Sequence, residues 1–270
     1  MTALAQSAPT NQQSLVLRQD RDGVATLTMN RPAQRNALSV ALMTALQEEL
    51  DRIKGDPSVK VVVIAGAGPG FCGGHDLKEM RANPGRTAYE ALFAQCSALM
   101  LSITRLPQPV IAKVHAVAAA AGCQLVATCD LAVAGESAQF AVNGINIGLF
   151  CSTPMVALTR VVGRKQAMEM LLTGDLIDAR RALAIGLVNQ VVPNAELDAA
   201  VDTLAKKIVA KSPLALAIGK EAFYRQAELD LAGAYDYASG VMTRNMLARD
   251  AERGIDAFIA KQPMPKWEGR

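Results

Sequence analysis

The sequence predicts an α/β protein whose last third is mainly helical. Its 270 residues, 51% hydrophobic and 20% charged, are enough to bury a substantial core. Strand and helix patterns alternate through the first half, which is typical of an α/β sheet. A second buried strand runs directly into small residues and then a helix, and helical patterns dominate beyond about residue 153.

The first elements are a hairpin and a capped helix. Segments 14–18 and 24–29 have strand patterns, and the turn sequence QDRDG separates them. Ser39 then caps a helix that Gly55 ends, and a β-branched strand follows at 61–65. The apolar face of that helix consists of Val40, Met43, Leu46, Leu50 and Ile53.

A helix at 87–106 stops before Pro107, and a buried strand follows at 110–114. Short strands are predicted at 132–133 and 139–140. The later helices are predicted at 153–162, 164–172, 178–184, 194–211 and at several places after Pro213. These patterns divide the chain into a disordered tail (1–13), an α/β core (14–195) and a C-terminal helical region (196–270).

Composition argues against several classes of function. The formal net charge is only +3, basic residues are scattered and 4% of residues are aromatic, so we expect no nucleic-acid binding. The five cysteines form no CxxC pair, which indicates reduced, buried thiols and no metal site. The N-terminus lacks a secretory or transit pattern and no stretch spans a bilayer, so we expect no membrane partner and a cytoplasmic location.

Two segments share one design of strand, small residues and helix start. They are VVVIAGAGPGFCGGHDLKEM (61–80) and VIAKVHAVAAAAGCQL (110–125). Small residues let a backbone approach a ligand, and a helix start offers unpaired N–H groups. Two such donors at one point would form an oxyanion hole. Tight helix–sheet packing, which needs the same small residues, is the alternative.

The chain resembles the enoyl-CoA hydratase/isomerase (crotonase) family from about residue 14 to 267. The resemblance rests on NRPAQRNAL (30–38), FCGGHDLKEM (71–80), AAAAGCQLVATCDLAVAGESAQF (118–140), LTGDLIDARRALAIGLVNQVV (172–192) and AFIAK (257–261). It implies a spiral of ββα units, as in ClpP-like folds, with a C-terminal helical trimerisation region. Within the family, AAAAGCQLVATCD and NIGLFCSTPMVAL look most like the subgroup called enoyl-CoA hydratase domain-containing protein 3.

The resemblance also implies a ligand and the residues that hold it. The family binds acyl-CoA thioesters, so coenzyme A enters as part of the substrate and no separate cofactor is expected. The backbone N–H groups of His75 and Ala121 match the two oxyanion donors. Lys78, Phe258 and Lys261 match residues that contact CoA, with a solvated surface as the alternative for each lysine. The expected assembly is a homotrimer or a dimer of trimers.

The chain departs from the family where hydratases carry two glutamates. Gln124 and Gly144 stand at those positions. Hydration needs a base for water and an acid for the α-carbon, and neither an amide nor a glycine supplies one. Ordinary hydration is therefore not expected, and restoring both glutamates by substitution should raise it.

Other pocket residues have a catalytic and a structural interpretation. Ser152 could position water, as a tentative catalytic residue, or cap a helix. Gln124 could bind substrate or be a packed amide, and Cys151 could be a nucleophile or an inert thiol. The His75 side chain and Asn143 are further candidates. Asp76 is expected to cap its helix.

Three functions remain open from the sequence. The first is an enzyme that handles an acyl-CoA enolate, such as an isomerase, decarboxylase, thioesterase or unconventional hydratase. The second is an acyl-CoA-binding or regulatory protein with little catalysis. The third is an interaction or RNA-binding role, which some family members have.

Overall fold

The computed structural model describes residues 14–270, and the predicted disordered tail (1–13) lies outside them. The strands of the described residues are β1 (Val16–Arg21), β2 (Val24–Met29), β3 (Val61–Gly66), β4 (Val110–Val114), β5 (Ala118–Ala119), β6 (Leu131–Gly135), β7 (Gln139–Ala141), β8 (Ile177–Asp178) and β9 (Gln190–Val192). The central sheet has the order β1-β2-β3-β4-β6-β9, and β5-β7-β8 form a smaller sheet. The β1–β2 and β7–β8 pairs are antiparallel, and the others are parallel.

The helices of the same residues are α1 (Val40–Lys54), α2 (Leu77–Ala82), α3 (Arg86–Arg105), α4 (Ala121–Thr128), α5 (Ser152–Val161), α6 (Arg164–Thr173), α7 (Ala179–Ala184), α8 (Leu197–Val209), α9 (Pro213–Gln226), α10 (Leu231–Met246) and α11 (Arg249–Ile259). The prediction of an α/β fold with a helical C-terminal region is confirmed. None of these helices is both long enough and apolar enough to cross a bilayer.

The hairpin is tighter than predicted. Arg21 pairs directly with Val24, so only Asp22 and Gly23 form the turn. Both have positive φ values, 51° and 81°, which is the requirement of a type I′ turn. β1 therefore continues through residues that the sequence analysis assigned to the turn.

The central sheet buries apolar side chains on both faces. On one face, Val62 and Ile64 of β3 join the main core with Leu46 and Leu50 of α1. On the other face, Val61, Val63, Ile111 and Val133 pack against Leu197, Val201 and Ala205 of α8. Successive strand residues point to opposite faces, so a sheet covered on both sides needs continuous apolar runs such as VVVI. α8 thus covers the sheet, and the division at residue 195 stays a prediction.

A buried ion pair fastens α9 to the α/β core. Lys220 donates from Nζ to Asp130 Oδ2 at 2.6 Å and to the carbonyl oxygens of Ile103 and Gln108 at 2.9 and 3.0 Å. The Tyr224 hydroxyl donates to Asp130 Oδ1 at 2.8 Å. Burial lowers the pKa of Lys220, and the contact with Asp130 opposes that shift. Because each donor of the ammonium has an acceptor, its burial is compensated and α9 has one defined position.

Candidate active site

The two small-residue segments lie side by side. The amides of Phe71 and Cys72 donate to the carbonyl oxygen of Val117 at 3.0 and 3.2 Å, and the Ala119 amide donates to the Cys72 carbonyl at 2.9 Å. The chain after β3 is therefore paired with the chain after β4. This pairing brings the region of His75 next to the start of α4.

Glycines make the close approach possible. A Cβ atom at Gly122 would stand 2.1 Å from the Cys72 carbonyl oxygen, which is well inside contact distance. A Cβ atom at Gly74, where φ is +91°, would stand 3.4 Å from the Ala121 nitrogen. Ala120, in the second segment, itself has a φ of 49°. The backbone at residue 74 thus lies close to the backbone at 120–121, with little room for a side chain between them.

Two backbone N–H groups in this contact region have no acceptor within residues 14–270. Leu38 donates to the Gly74 carbonyl at 2.7 Å and accepts from the Asp76 amide at 3.2 Å. The N–H of His75, between them, points away from Leu38, as alternate residues of an extended chain do. Ala121 is the first residue of α4, where a backbone N–H has no intrahelical partner.

Two polar side chains, the buried Gln124 and the half-buried His75, flank these N–H groups. Gln124 is only 5% exposed, and its Oε1 has no hydrogen-bond partner among the described residues. Both ring nitrogens of His75 are likewise buried and have no hydrogen bond of ordinary geometry within the described residues, although the Leu38 backbone is near enough to favour the protonated ring. Its ring packs edge-on against Phe93, with 5.6 Å between the centroids, and burial lowers the pKa of His75. Burial therefore favours the neutral form of the imidazole.

At Gly144, where a hydratase has its second glutamate, the chain folds back and leaves no space for a side chain. The Gly144 amide donates to Cys151 Sγ at 3.3 Å. A Cβ atom at residue 144 would stand 2.4 Å from the Leu149 carbonyl oxygen and 2.9 Å from Cys151 Sγ. A glutamate at 144 would clash with this turn, so the expectation that substitution there restores hydration is wrong. The obstacle is backbone contact, since Gly144 is not among the glycines with positive φ.

The other candidates from this part of the chain are mainly structural. Cys151 is buried, and burial raises the pKa of its thiol, which agrees with an inert thiol. Ser152 is exposed and is already the first residue of α5, where its hydroxyl donates to the Phe150 carbonyl at 3.3 Å. The interpretation of Ser152 as a cap is therefore wrong, and its tentative catalytic role stays a prediction. Asn143 is half-buried and begins a 3-10 turn.

The predicted CoA-contacting side chains lie on two helices. Lys78 is exposed on α2, two residues after Asp76, which caps that helix as predicted. Phe258 is 75% exposed near the end of α11, and Lys261 follows just beyond it with a φ of 54°. α11 packs on α9 and α10, so within one chain these residues belong to the helical group. Among residues 14–270, no cluster of His, Cys, Asp and Glu side chains fits a metal ion.

Sequence reasoning missed the polar residues that support the first segment. Arg31 and Asn36 lie in the motif NRPAQRNAL, which was used only for its resemblance. Asn36 is fully buried, and its side-chain amide donates to the carbonyl oxygens of Ala67 and Gly70 at 2.9 and 2.8 Å. An asparagine or arginine within a loop motif can indicate that its side chain supports a neighbouring turn. The residues to which it hydrogen-bonds can be identified only from the structure.

A mainly parallel sheet, two facing small-residue turns and an appended helical group define a crotonase-fold protein. The model of the enoyl-CoA hydratase/isomerase family matches residues 19–270, and the chain belongs to that family. Within it, the chain falls with the subgroup called enoyl-CoA hydratase domain-containing protein 3, as the sequence motifs predicted.

The similarity to known proteins extends over nearly the whole chain. The human mitochondrial enoyl-CoA hydratase domain-containing protein 3 is 46% identical over 91% of this chain and 81% of its own length. A crystal structure of an enoyl-CoA hydratase from Mycobacterium smegmatis has a TM-score of 0.92 and 54% identity, over 94% of this chain and 98% of that one. The crystal structure of human enoyl coenzyme A hydratase domain-containing protein 3 has a TM-score of 0.90 and 43% identity, over 93% and 99%.

These relatives contradict the predicted cytoplasmic location. Four proteins of the subgroup, 42–46% identical to this chain, are named mitochondrial. The expectation rested on the composition of the first residues, which the structure does not describe.

Proposed function

We propose that the protein binds an acyl-CoA thioester and stabilises its enolate through the backbone N–H groups of His75 and Ala121. The observation that carries this proposal is that these two N–H groups lie close together and are both without an acceptor within the described chain. The peptides that carry them lie close together, because a Cβ atom at Gly74 would stand 3.4 Å from the Ala121 nitrogen. Pre-aligned donors of this kind stabilise a developing oxyanion without reorganising in the reaction. The family as a whole binds acyl-CoA thioesters, which supplies the ligand class.

The reaction is not ordinary hydration. Gln124 is a buried amide, and Gly144 has no room for a side chain. The remaining chemistry is that of an enolate held by backbone donors, as in an isomerase, decarboxylase, thioesterase or unconventional hydratase. Gln124 and the neutral His75 ring supply hydrogen bonds to the ligand or to water, because their buried polar atoms otherwise remain unpaired.

A second candidate is an acyl-CoA-binding protein with little turnover. The observation that favours it is the closed turn at Gly144, where Cys151 and Leu149 occupy the space that a catalytic side chain would need. Both candidates predict binding, and only the first predicts turnover of at least one thioester in a panel.

Calorimetry with acyl-CoA and free CoA tests the shared part of the proposal. We expect binding, and we expect Lys78→Ala and Lys261→Ala each to weaken it by about 1 kcal/mol, as for a screened surface contact with phosphate. Arg86→Ala, which removes an exposed cation paired with Glu90, is the matched control. Absence of binding to any CoA ester would contradict the proposal.

We also propose a homotrimer or a dimer of trimers. Several large apolar side chains of α9–α11 are exposed in one chain, and proteins of the family are usually oligomeric. Large apolar side chains that stay exposed in a single chain are typical of residues that a protein interface covers. The exposed residues include Phe223, Leu231, Tyr235, Leu247, Phe258 and Ile259.

A further inference from the structure

The segment Arg31 to Leu38, here called the strap, runs along the turn that carries His75. At the start of that turn, Asn36 Nδ2 donates to the carbonyl oxygens of Ala67, Gly70 and Phe71 at 2.9, 2.8 and 3.2 Å. Asn36 is fully buried and has a φ of 55°, a strained backbone that asparagine tolerates better than most residues. The strap is therefore fixed to the part of the turn that precedes His75.

Arg31 fixes the other end of the turn. Its guanidinium donates from Nη1 to the Ala37 carbonyl at 2.6 Å and from Nη2 to Asp76 Oδ2 at 2.9 Å. The side chains of Arg31 and Asp76 are only 18% and 15% exposed. Asp76 Oδ1 accepts the amides of Lys78 and Glu79, so both carboxylate oxygens are used. Burial alone would raise the pKa of Asp76, but Arg31 and the two amides keep it below its ordinary value.

The peptide between Gly74 and His75 lies between these two attachments. Its carbonyl accepts the Leu38 amide at 2.7 Å. Because a trans peptide is planar, the N–H on the same unit points in the opposite direction. The bond from Leu38 also polarises this unit, which strengthens its N–H as a donor. The strap thus sets the direction of the His75 N–H on both sides.

We propose that Arg31 is a positioning residue that acts through Asp76 to aim the His75 N–H at the thioester oxygen. This inference rests on the proposed function. Without the ion pair, Asp76 would keep its two amide bonds and its backbone hydrogen bond to Leu38 but lose its side-chain connection to the strap. The His75 peptide would then rotate more freely, and the thioester oxygen would receive one aligned donor in place of two.

The experiment compares acetyl-CoA with free CoA, which lacks the thioester carbonyl. Arg31→Met should lower the preference for acetyl-CoA over free CoA by roughly threefold to tenfold, the range expected for one neutral hydrogen bond. Free CoA affinity should stay constant. The infrared band of a ¹³C-labelled thioester carbonyl, shifted to low frequency in the wild-type complex, should move back toward its value in water. Arg31→Lys should give a binding preference and a band position between those of the wild type and Arg31→Met.

Arg160→Met is the control, since it removes an exposed arginine paired with Glu228. Circular dichroism establishes which variants fold, and if Arg31→Met does not, Asp76→Asn and Arg31→Lys carry the same comparison. A wild-type shift that persists in these variants would overturn the role of Arg31 and leave the oxyanion hole standing. No shift and no acetyl-CoA preference in the wild-type protein would instead overturn the proposed function.

Discussion

Crotonyl-CoA hydration provides the sharpest test of the missing carboxylates. One general acid–base group typically contributes about 10²- to 10⁴-fold, which is about 3–5 kcal/mol of transition-state stabilisation. Both positions lack such a group here. We expect wild-type turnover to be at least about 10³-fold below that of a relative with two glutamates.

The structure has room for a restored glutamate at only one of the two positions. Gln124 is buried, and glutamate has nearly its shape, so Gln124→Glu fits the same space. We expect it to raise hydration by roughly tenfold to a hundredfold, since the second carboxylate is still missing. Burial will also raise the pKa of the new carboxyl above ~4.3, so the gained activity should grow as pH rises through that higher value.

The assay is the loss of enoyl-thioester absorbance at several pH values. Gln124→Met, which keeps the length of the side chain without its polar atoms, is the matched control and should show no gain. Gly144→Glu should fail to fold normally, because its Cβ would stand 2.4 Å from the Leu149 carbonyl oxygen. Wild-type turnover equal to that of a two-glutamate relative, or no response of Gln124→Glu at any pH, would refute this account.

The remaining predictions concern stability and assembly. Gly122→Ala should prevent normal folding because its Cβ would meet the Cys72 carbonyl oxygen at 2.1 Å, whereas Gly219→Ala, in open space within α9, should stabilise by about 0.5–1 kcal/mol in urea unfolding. Asp250, whose pKa is lowered by Ser212 and two backbone amides against the effect of burial, should stabilise the wild type relative to Asp250→Asn at neutral pH. That difference in stability should disappear as the pH falls below about 4 toward the pKa of Asp250 in the folded protein. A stability difference between the two proteins that is unchanged at low pH would contradict this prediction. Sedimentation should give three or six times the 28.5 kDa chain mass, and a stable monomer would contradict the proposed assembly.

Much of the fold follows from local patterns. Most of the buried face of α1 was predicted because apolar residues recur at helical spacing, but Val40 is exposed and Leu42 is buried instead. Ser39 caps that helix as predicted, by accepting the Leu42 amide. β3 was predicted because a strand buried on both faces is continuously apolar. Exact ends were less predictable. β1 reaches Arg21 because its partner strand is available across the tight turn, which is a tertiary effect.

The site was predictable only where it depends on the backbone. Small residues at two strand ends indicated close backbone contact, and the structure places Gly74 against Ala121. The ion pair between Arg31 and Asp76 joins residues 45 positions apart, and no local pattern encodes that contact. The closure at Gly144 likewise depends on how the chain folds back at Leu149.

The buried hydrogen bonds of Lys220 limit where this polypeptide can be truncated without loss of stability. A chain that stopped before α9 would keep the Asp130 carboxylate and the carbonyls of Ile103 and Gln108 but lose the ammonium group that they share. Removing one partner of a buried ion pair typically costs about 3–5 kcal/mol, a large part of the total stability of a domain. We therefore expect that the α/β core does not fold as a detachable module, and that a fragment meant to isolate the proposed thioester site must extend at least through Tyr224 of α9.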